Sequence, residues 1–94
     1  MDERKIRKYM LVDGIVQGVG FRWYVRHQAE CCHLTGWVKN RYDGKVEMEV
    51  QGDPVDIDRF TGLMLRGNGY ARVMSYEEEK REPMPELDFR VKGY

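Results

Sequence analysis

Residues 45 to 51 alternate without a break. Val46, Met48 and Val50 are apolar, while Lys45, Glu47, Glu49 and Gln51 are polar. Successive side chains of a β-strand point to opposite faces of its sheet, so this strand has one buried face and one wet face. A sheet that is wet on one side takes its helices on the other, in two layers. The rest of the chain must then supply a helical layer and the strands that flank this one.

Two segments carry helical spacing. Between Phe21 and Leu34, Phe21, Val25, Ala29 and Cys32 recur at intervals of four, four and three, with Tyr24 beside them. Arg26, His27 and Glu30 fall on the opposite side. Thr35-Gly36 is expected to close this helix, with Gly36 as a left-handed cap. Asp53 is expected to cap a second helix, with Pro54 at its first position. Ile57, Phe60, Leu63 and Met64 form its apolar stripe, and Gly67 or Gly69 ends it. Gly62, inside this helix, costs about 1 kcal/mol relative to Ala.

The other strands are less regular. Residues 6 to 16 place Met10, Val12 and Val16 on one face and Tyr9, Leu11 and Ile15 on the other, which predicts a central strand. Trp37 to Arg41 form a second strand that meets the hairpin turn Tyr42-Asp43-Gly44. Residues 71 to 81 form another, in which Val73 and Tyr76 break alternation and predict a bulge. The run Glu77 to Glu82 reads as a solvated edge whose charges discourage aggregation. Pro83-Met84-Pro85 is a linker, and Phe89 and Val91 alternate in a short last strand. The order is βαββαβ plus that strand. It predicts a single α+β domain over residues 1–94: a ferredoxin-like two-layer sandwich, an antiparallel sheet with two helices on one face.

Between the first strand and the first helix stands Gly14-Ile15-Val16-Gln17-Gly18-Val19-Gly20-Phe21-Arg22. Glycines let successive backbone N–H groups converge on one point. The helix that follows brings unpaired N–H groups and a partial positive charge at its N-terminus. Arg22 adds a permanent cation whose planar fork fits phosphate or carboxylate. Together these make a cradle for a phosphate-sized anion, with the backbone N–H groups of Gln17, Gly18, Val19, Gly20 and Phe21 as its loop. Neither nucleotide-binding glycine pattern is satisfied. Trp23 stands where the dinucleotide fingerprint needs a third Gly or Ala, and no Gly-Lys-Ser/Thr follows.

Other classes fall away on composition. The 16 basic and 16 acidic residues balance, which gives no electrostatic reason to expect nucleic acid or an anionic membrane as partner. No apolar run approaches a membrane span, and the charged start Met1 to Lys5 has no apolar signal core behind it, so a cytoplasmic chain is expected. Adjacent Cys31 and Cys32 diverge by about 100° on a helix and lack metal or redox spacing. His27 and His33 lie about 240° apart on a helix and cannot clasp a metal together. No metal site is expected. RNA-recognition domains share the element order but stack bases on strand aromatics, and the wet face of residues 45 to 51 carries none.

Two stretches carry a family resemblance. Gly14 to Arg22 resembles the first signature of the acylphosphatase family. Gly36-Trp37-Val38-Lys39-Asn40, followed by Gly44-Lys45-Val46 and Gly52, resembles the second, spacing included. The resemblance implies hydrolysis of acyl phosphates to a carboxylate and inorganic phosphate, with no cofactor and no metal. It assigns Arg22 to phosphate binding and Asn40 to positioning the attacking water. Inorganic phosphate is then product and competitive inhibitor, and the chain is expected to act as a monomer. The alternative is a non-catalytic anion-binding or protein-interaction module of the same fold. By itself Asn40 also reads as a turn residue before Asp43-Gly44. Gln17 reads equally as a strand-end side chain that holds the loop. The carboxylate of Tyr94 is a candidate partner for an arginine.

Overall fold

The computed structural model describes residues 5–93. Val46, Met48 and Val50 are fully buried on β3 (Val46–Gly52), which pairs antiparallel on both sides. Its neighbours are β1 (Ile6–Ile15) and β2 (Thr35–Asn40); β4 (Arg72–Arg81) pairs antiparallel with β1 and forms one edge. The sheet order is β4-β1-β3-β2-β5, so β1 is internal and the acidic run of β4 lies at a border as expected. Helices α1 (Phe21–Cys31) and α2 (Pro54–Arg66) bury Phe21, Val25 and Ala29 from one and Ile57, Phe60 and Met64 from the other. These join Met10, Val12, Val38, Val46, Met48 and Val50 in a single core. The two-layer sandwich predicted from one wet strand face is the observed architecture.

The short strand β5 (Phe89–Lys92) docks on β2 and runs parallel to it, making the five-stranded sheet mixed. Four strands keep the antiparallel pairing expected of them. To reach β5 from β4 the chain must cross from one edge of the sheet to the other. Residues 82 to 88 make that crossing over the face opposite the helices and pack on it through a polar cluster. Arg7, only 2% exposed, donates from Nε to Glu49 at 2.5 Å and from Nη1 to Glu86 at 2.7 Å. Burial alone would lower the guanidinium's pKa, but the hydrogen bonds to Glu86 and Glu49 outweigh it and raise the pKa above its ordinary value.

This crossing overturns one expectation. Gln51 was to lie on the wet face, yet it is buried. Its Nε2 donates to the Met84 carbonyl at 2.7 Å and its Oε1 accepts the Met84 N–H at 2.8 Å, so the side chain acts as a strand partner for the crossing segment. The predicted bulge is present. The register of β1 on β4 passes from Asp13↔Ser75 to Gly14↔Val73, leaving Met74 as the extra residue.

The end of α1 also differs from expectation. The helix stops at Cys31, and Gly36 is not its cap but lies inside β2 with φ 146°. A Cβ there would collide with the Glu49 carbonyl, so Gly36 serves the close approach of β2 to β3. The left-handed position is taken by His33, with φ 62°. Its N–H donates to Glu30 O at 3.1 Å, and the Leu34 N–H donates to Ala29 O at 2.9 Å. That pair of bonds is a Schellman closure, with buried Leu34 folded back on the helix.

A non-glycine residue in the left-handed region costs about 1–2 kcal/mol. His33→Gly is therefore expected to stabilise the fold by about 1 kcal/mol, a rise in Tm of roughly 4–8 °C for a domain of this size. Thermal unfolding followed by circular dichroism checks this, and an unchanged or lower Tm would contradict it.

Candidate active site

The two helices begin in opposite ways. α2 is capped by its own sequence: Asp53 Oδ1 accepts the Val55 N–H at 3.0 Å, Pro54 opens the first turn, and Asp56 adds an acidic group there. α1 has none of this. Its N-cap is Gly20, left-handed at φ 77° and ψ 15°, with no side-chain cap and no acidic residue in the first turn. Among the described residues, the backbone N–H groups of residues 18 to 22 donate no hydrogen bond within the chain. A helix N-terminus left with free donors and no carboxylate is complementary to an anion from outside the chain.

Val16, Gly18, Gly20, Phe21, Arg22, Trp23 and Asn40 line one cleft of about 150 Å³. The fold thus brings Arg22 and Asn40 together with the glycine loop, although they come from different elements. Gln17 and Val19, also expected in the loop, do not line this cleft. The Gln17 side chain turns to the β2–β3 turn, where Nε2 donates to the carbonyls of Arg41 at 2.7 Å and Lys45 at 2.9 Å. It ties the loop to the strand end that carries Asn40. Val19 packs partly against the core, and its carbonyl accepts from Asn68 Nδ2 at 2.8 Å.

Arg22 is oriented by the far end of the chain. Its Nη1 donates to the Lys92 carbonyl at 2.8 Å. Lys92 belongs to β5, and its Nζ lies 4.6 Å from the centre of the Trp37 ring on β2. The partner of Arg22 is a neutral carbonyl, so the guanidinium's charge is not cancelled by it and its other N–H groups stay available. Neither Lys92 nor Asn68 could be assigned from sequence, since a backbone carbonyl carries no residue signature and Asn in a turn is commonplace. Tyr94, whose carboxylate was a candidate partner for an arginine, lies outside the described residues.

Asn40 stands at the end of β2, and its Oδ1 is buried without a hydrogen bond. A turn-forming Asn would spend that oxygen on nearby backbone N–H groups. Here the turn is served by Asp43, whose Oδ1 accepts the Lys45 N–H at 3.1 Å and which pairs with Arg41 at 2.9 Å. The Arg41 guanidinium, with the Lys45 N–H, holds the Asp43 carboxyl below the usual carboxylate range. Asn40 is thus relieved of turn duty, and its carboxamide makes no hydrogen bond within the chain through Oδ1.

Arg22 is the only ionisable residue among the seven that line the cleft. Among the described residues, no group of three or more His, Cys, Asp and Glu side chains is placed to hold a metal ion. Cys31 is exposed and Cys32 buried, both as free thiols. The arrangement offers fixed donors and one permanent cation for an anion, a carboxamide beside it, and no acid or base that changes charge near neutrality.

Comparison with known proteins agrees with these features. The acylphosphatase family profile matches residues 8–91. An acylphosphatase of Moorella thermoacetica is 41% identical over 88 residues, covering 94% of this chain and 95% of that protein. One from Clostridium perfringens is 50% identical over 74 residues, covering 79% and 83%. Among solved structures, the acylphosphatase from Coxiella burnetii superposes with a TM-score of 0.92 at 36% identity, over 97% of this chain and 96% of that one. A matching profile across most of the sequence, relatives of similar length and a shared fold lead to one conclusion: this chain belongs to the acylphosphatase family.

Proposed function

We propose that the chain hydrolyses acyl phosphates to a carboxylate and inorganic phosphate. The observation that carries the choice of substrate is the absence of any titrating side chain near neutrality among the seven lining residues. A phosphate ester expels an alkoxide, which needs a general acid. An acyl phosphate expels a carboxylate, whose conjugate acid has a pKa of about 4, so it departs unaided. A site of this composition is matched to the second substrate and not to the first. Nothing in the fold or among the relatives favours a non-catalytic role.

In this reading the phosphoryl oxygens take hydrogen bonds from the backbone N–H groups of the cleft-lining Gly18, Gly20, Phe21 and Arg22, and from the Arg22 guanidinium. These donors are fixed before the substrate arrives and meet the charge that spreads over the equatorial oxygens in the transition state. Asn40 accepts a proton of the attacking water and holds the oxygen lone pair in line with phosphorus. The Cβ–Cγ torsion of Asn is broad and nearly two-fold, so its oxygen can be turned to the cleft side. Water's oxygen bonds to phosphorus as the bond from phosphorus to the acyl oxygen breaks, and that electron pair leaves on the carboxylate. The water proton passes to a phosphoryl oxygen or to solvent. The same donors receive inorganic phosphate, which is product and competitive inhibitor. We read the protein as a cytoplasmic monomer without nucleic-acid or membrane partners, in keeping with its free thiols and balanced charge.

Acetyl or benzoyl phosphate hydrolysis is expected to persist in excess EDTA, with kcat flat from about pH 6 to pH 9, since no His, Cys, Asp, Glu or Lys lines the cleft. Activity restored only by added divalent metal, or a bell-shaped profile in that range, would refute this. Arg22→Lys keeps the charge and loses the fork. It should lower kcat/KM by at least about 100-fold and weaken inhibition by phosphate. Near-normal kinetics in the folded variant would place the anion elsewhere.

Asn40→Ala should fail differently. Its partner is the water and not the phosphoryl group, so kcat should fall towards zero while phosphate affinity measured by calorimetry stays near wild type. Loss of phosphate binding as complete as in an Arg22 variant, or normal turnover, would remove Asn40 from this role.

A further inference from the structure

Asn68 lies in the turn between α2 and β4, just past the Gly67 cap, and is not among the residues that line the cleft. Its Oδ1 accepts the N–H groups of Tyr70 at 3.0 Å and Ala71 at 2.9 Å. Those two donors settle which end of the carboxamide is oxygen, and they aim Nδ2 outward. Nδ2 then donates to the Val19 carbonyl at 2.8 Å, a partner 49 residues earlier. Both ends of the side chain are engaged: one folds its own turn and the other grips the glycine loop.

In a planar trans peptide the carbonyl and the following N–H point in opposite directions. Holding the Val19 carbonyl towards Asn68, outside the cleft, therefore turns the Gly20 N–H the other way, towards the cleft that Gly20 lines. A flip of the peptide between Val19 and Gly20 changes φ of Gly20, and glycine accepts either sign of φ at little cost, so this peptide flips more easily than one followed by a residue with a Cβ. A flip would aim a carbonyl dipole at the very place where the free N–H groups of α1 converge. Gly20 itself cannot prevent it, and α1 has no side-chain cap to do so.

We propose that Asn68 is a positioning residue that locks the Val19–Gly20 peptide in its anion-binding orientation. The inference rests on the reading of residues 17 to 22 as the phosphate site. It adds the α2–β4 turn to the active-site machinery without any contact between that turn and the substrate.

Two variants test it. Asn68→Ala removes the tether without adding charge. Asn68→Asp keeps an acceptor for Tyr70 and Ala71 but replaces the donor, so the turn is retained while the loop is released. Each is titrated with inorganic phosphate by calorimetry, and the Gly20 amide is followed by 15N–1H NMR in protein shown to be folded. Both variants should bind phosphate about tenfold more weakly at pH 7, the loss of roughly one charge-assisted donor. The Gly20 resonance should be displaced before any phosphate is added. Relative to wild type at each pH, Asn68→Asp should recover as the pH falls through the introduced carboxyl's range, near ~4, because the neutral acid again donates to the carbonyl. Asn68→Ala should not recover. Wild-type affinity with an undisturbed Gly20 amide in both variants overturns the proposal, as does a loss in Asn68→Asp that is equal at both pH values. If the wild type itself does not bind phosphate, or its Gly20 amide does not respond to it, the phosphate-site reading fails and takes this proposal with it.

Discussion

A buried guanidinium fixes the geometry on which the site depends. Arg7 is withdrawn from water on the face of the sheet away from the helices, and its charge is tolerable only while Glu49 and Glu86 stay against it. Glu86 belongs to the segment that crosses that face, so the ion cluster determines where the crossing lies. Gln51 adds a second grip on Met84. With the crossing fixed, β5 has one edge available to it, beside β2. There its Lys92 carbonyl meets Arg22. Arg22, on the helix side of the sheet, is thus aimed by an ion cluster on the other side.

The contrast between the helices shows how the chain divides stability from function. Asp53 completes α2 internally, as a structural helix should be completed. α1 starts from a glycine and leaves its donors unpaired, giving up a capping side chain at a cost of roughly a few tenths of a kcal/mol. Asn40 is left unpaired in the same neighbourhood. Both departures from good folding practice fall on one small cleft, where a departure has a use.

Much of this could be read from the residues alone. Unbroken alternation announced β3 and the wet face; Asp53-Pro54 announced the start of α2; two motifs singled out Arg22 and Asn40, which the fold places on one cleft. What escaped did so for definable reasons. His33 adopts a conformation whose usual signal is glycine, and only the tertiary pull on Leu34 reveals it. Gln51 follows a polar pattern yet is buried, because residues 82 to 88 cover it and alternation cannot know what lies above a sheet. The parallel pairing of β5 depends on where the crossing ends, which is not a local property. The loop was legible, and so was Gln17 as a side chain that holds it, but neither its partners nor Asn68 was: both side chains bind backbone carbonyls, which leave no mark in a sequence.

The docking of β5 also sets when the site comes into being during synthesis. Arg22 and Asn40 are made early, and β1 to β3 can pair soon after, yet the carbonyl that orients Arg22 belongs to residue 92. The tether on Val19 comes from residue 68. Contacts that span 49 and 70 positions must close before the cleft is whole, and closures of that length come late and slowly in folding. In a nascent chain Arg22 and Asn40 therefore precede the contacts that hold the loop and the guanidinium in place. The cleft is complete only once β5 has docked on β2 and the Lys92 carbonyl has met Arg22.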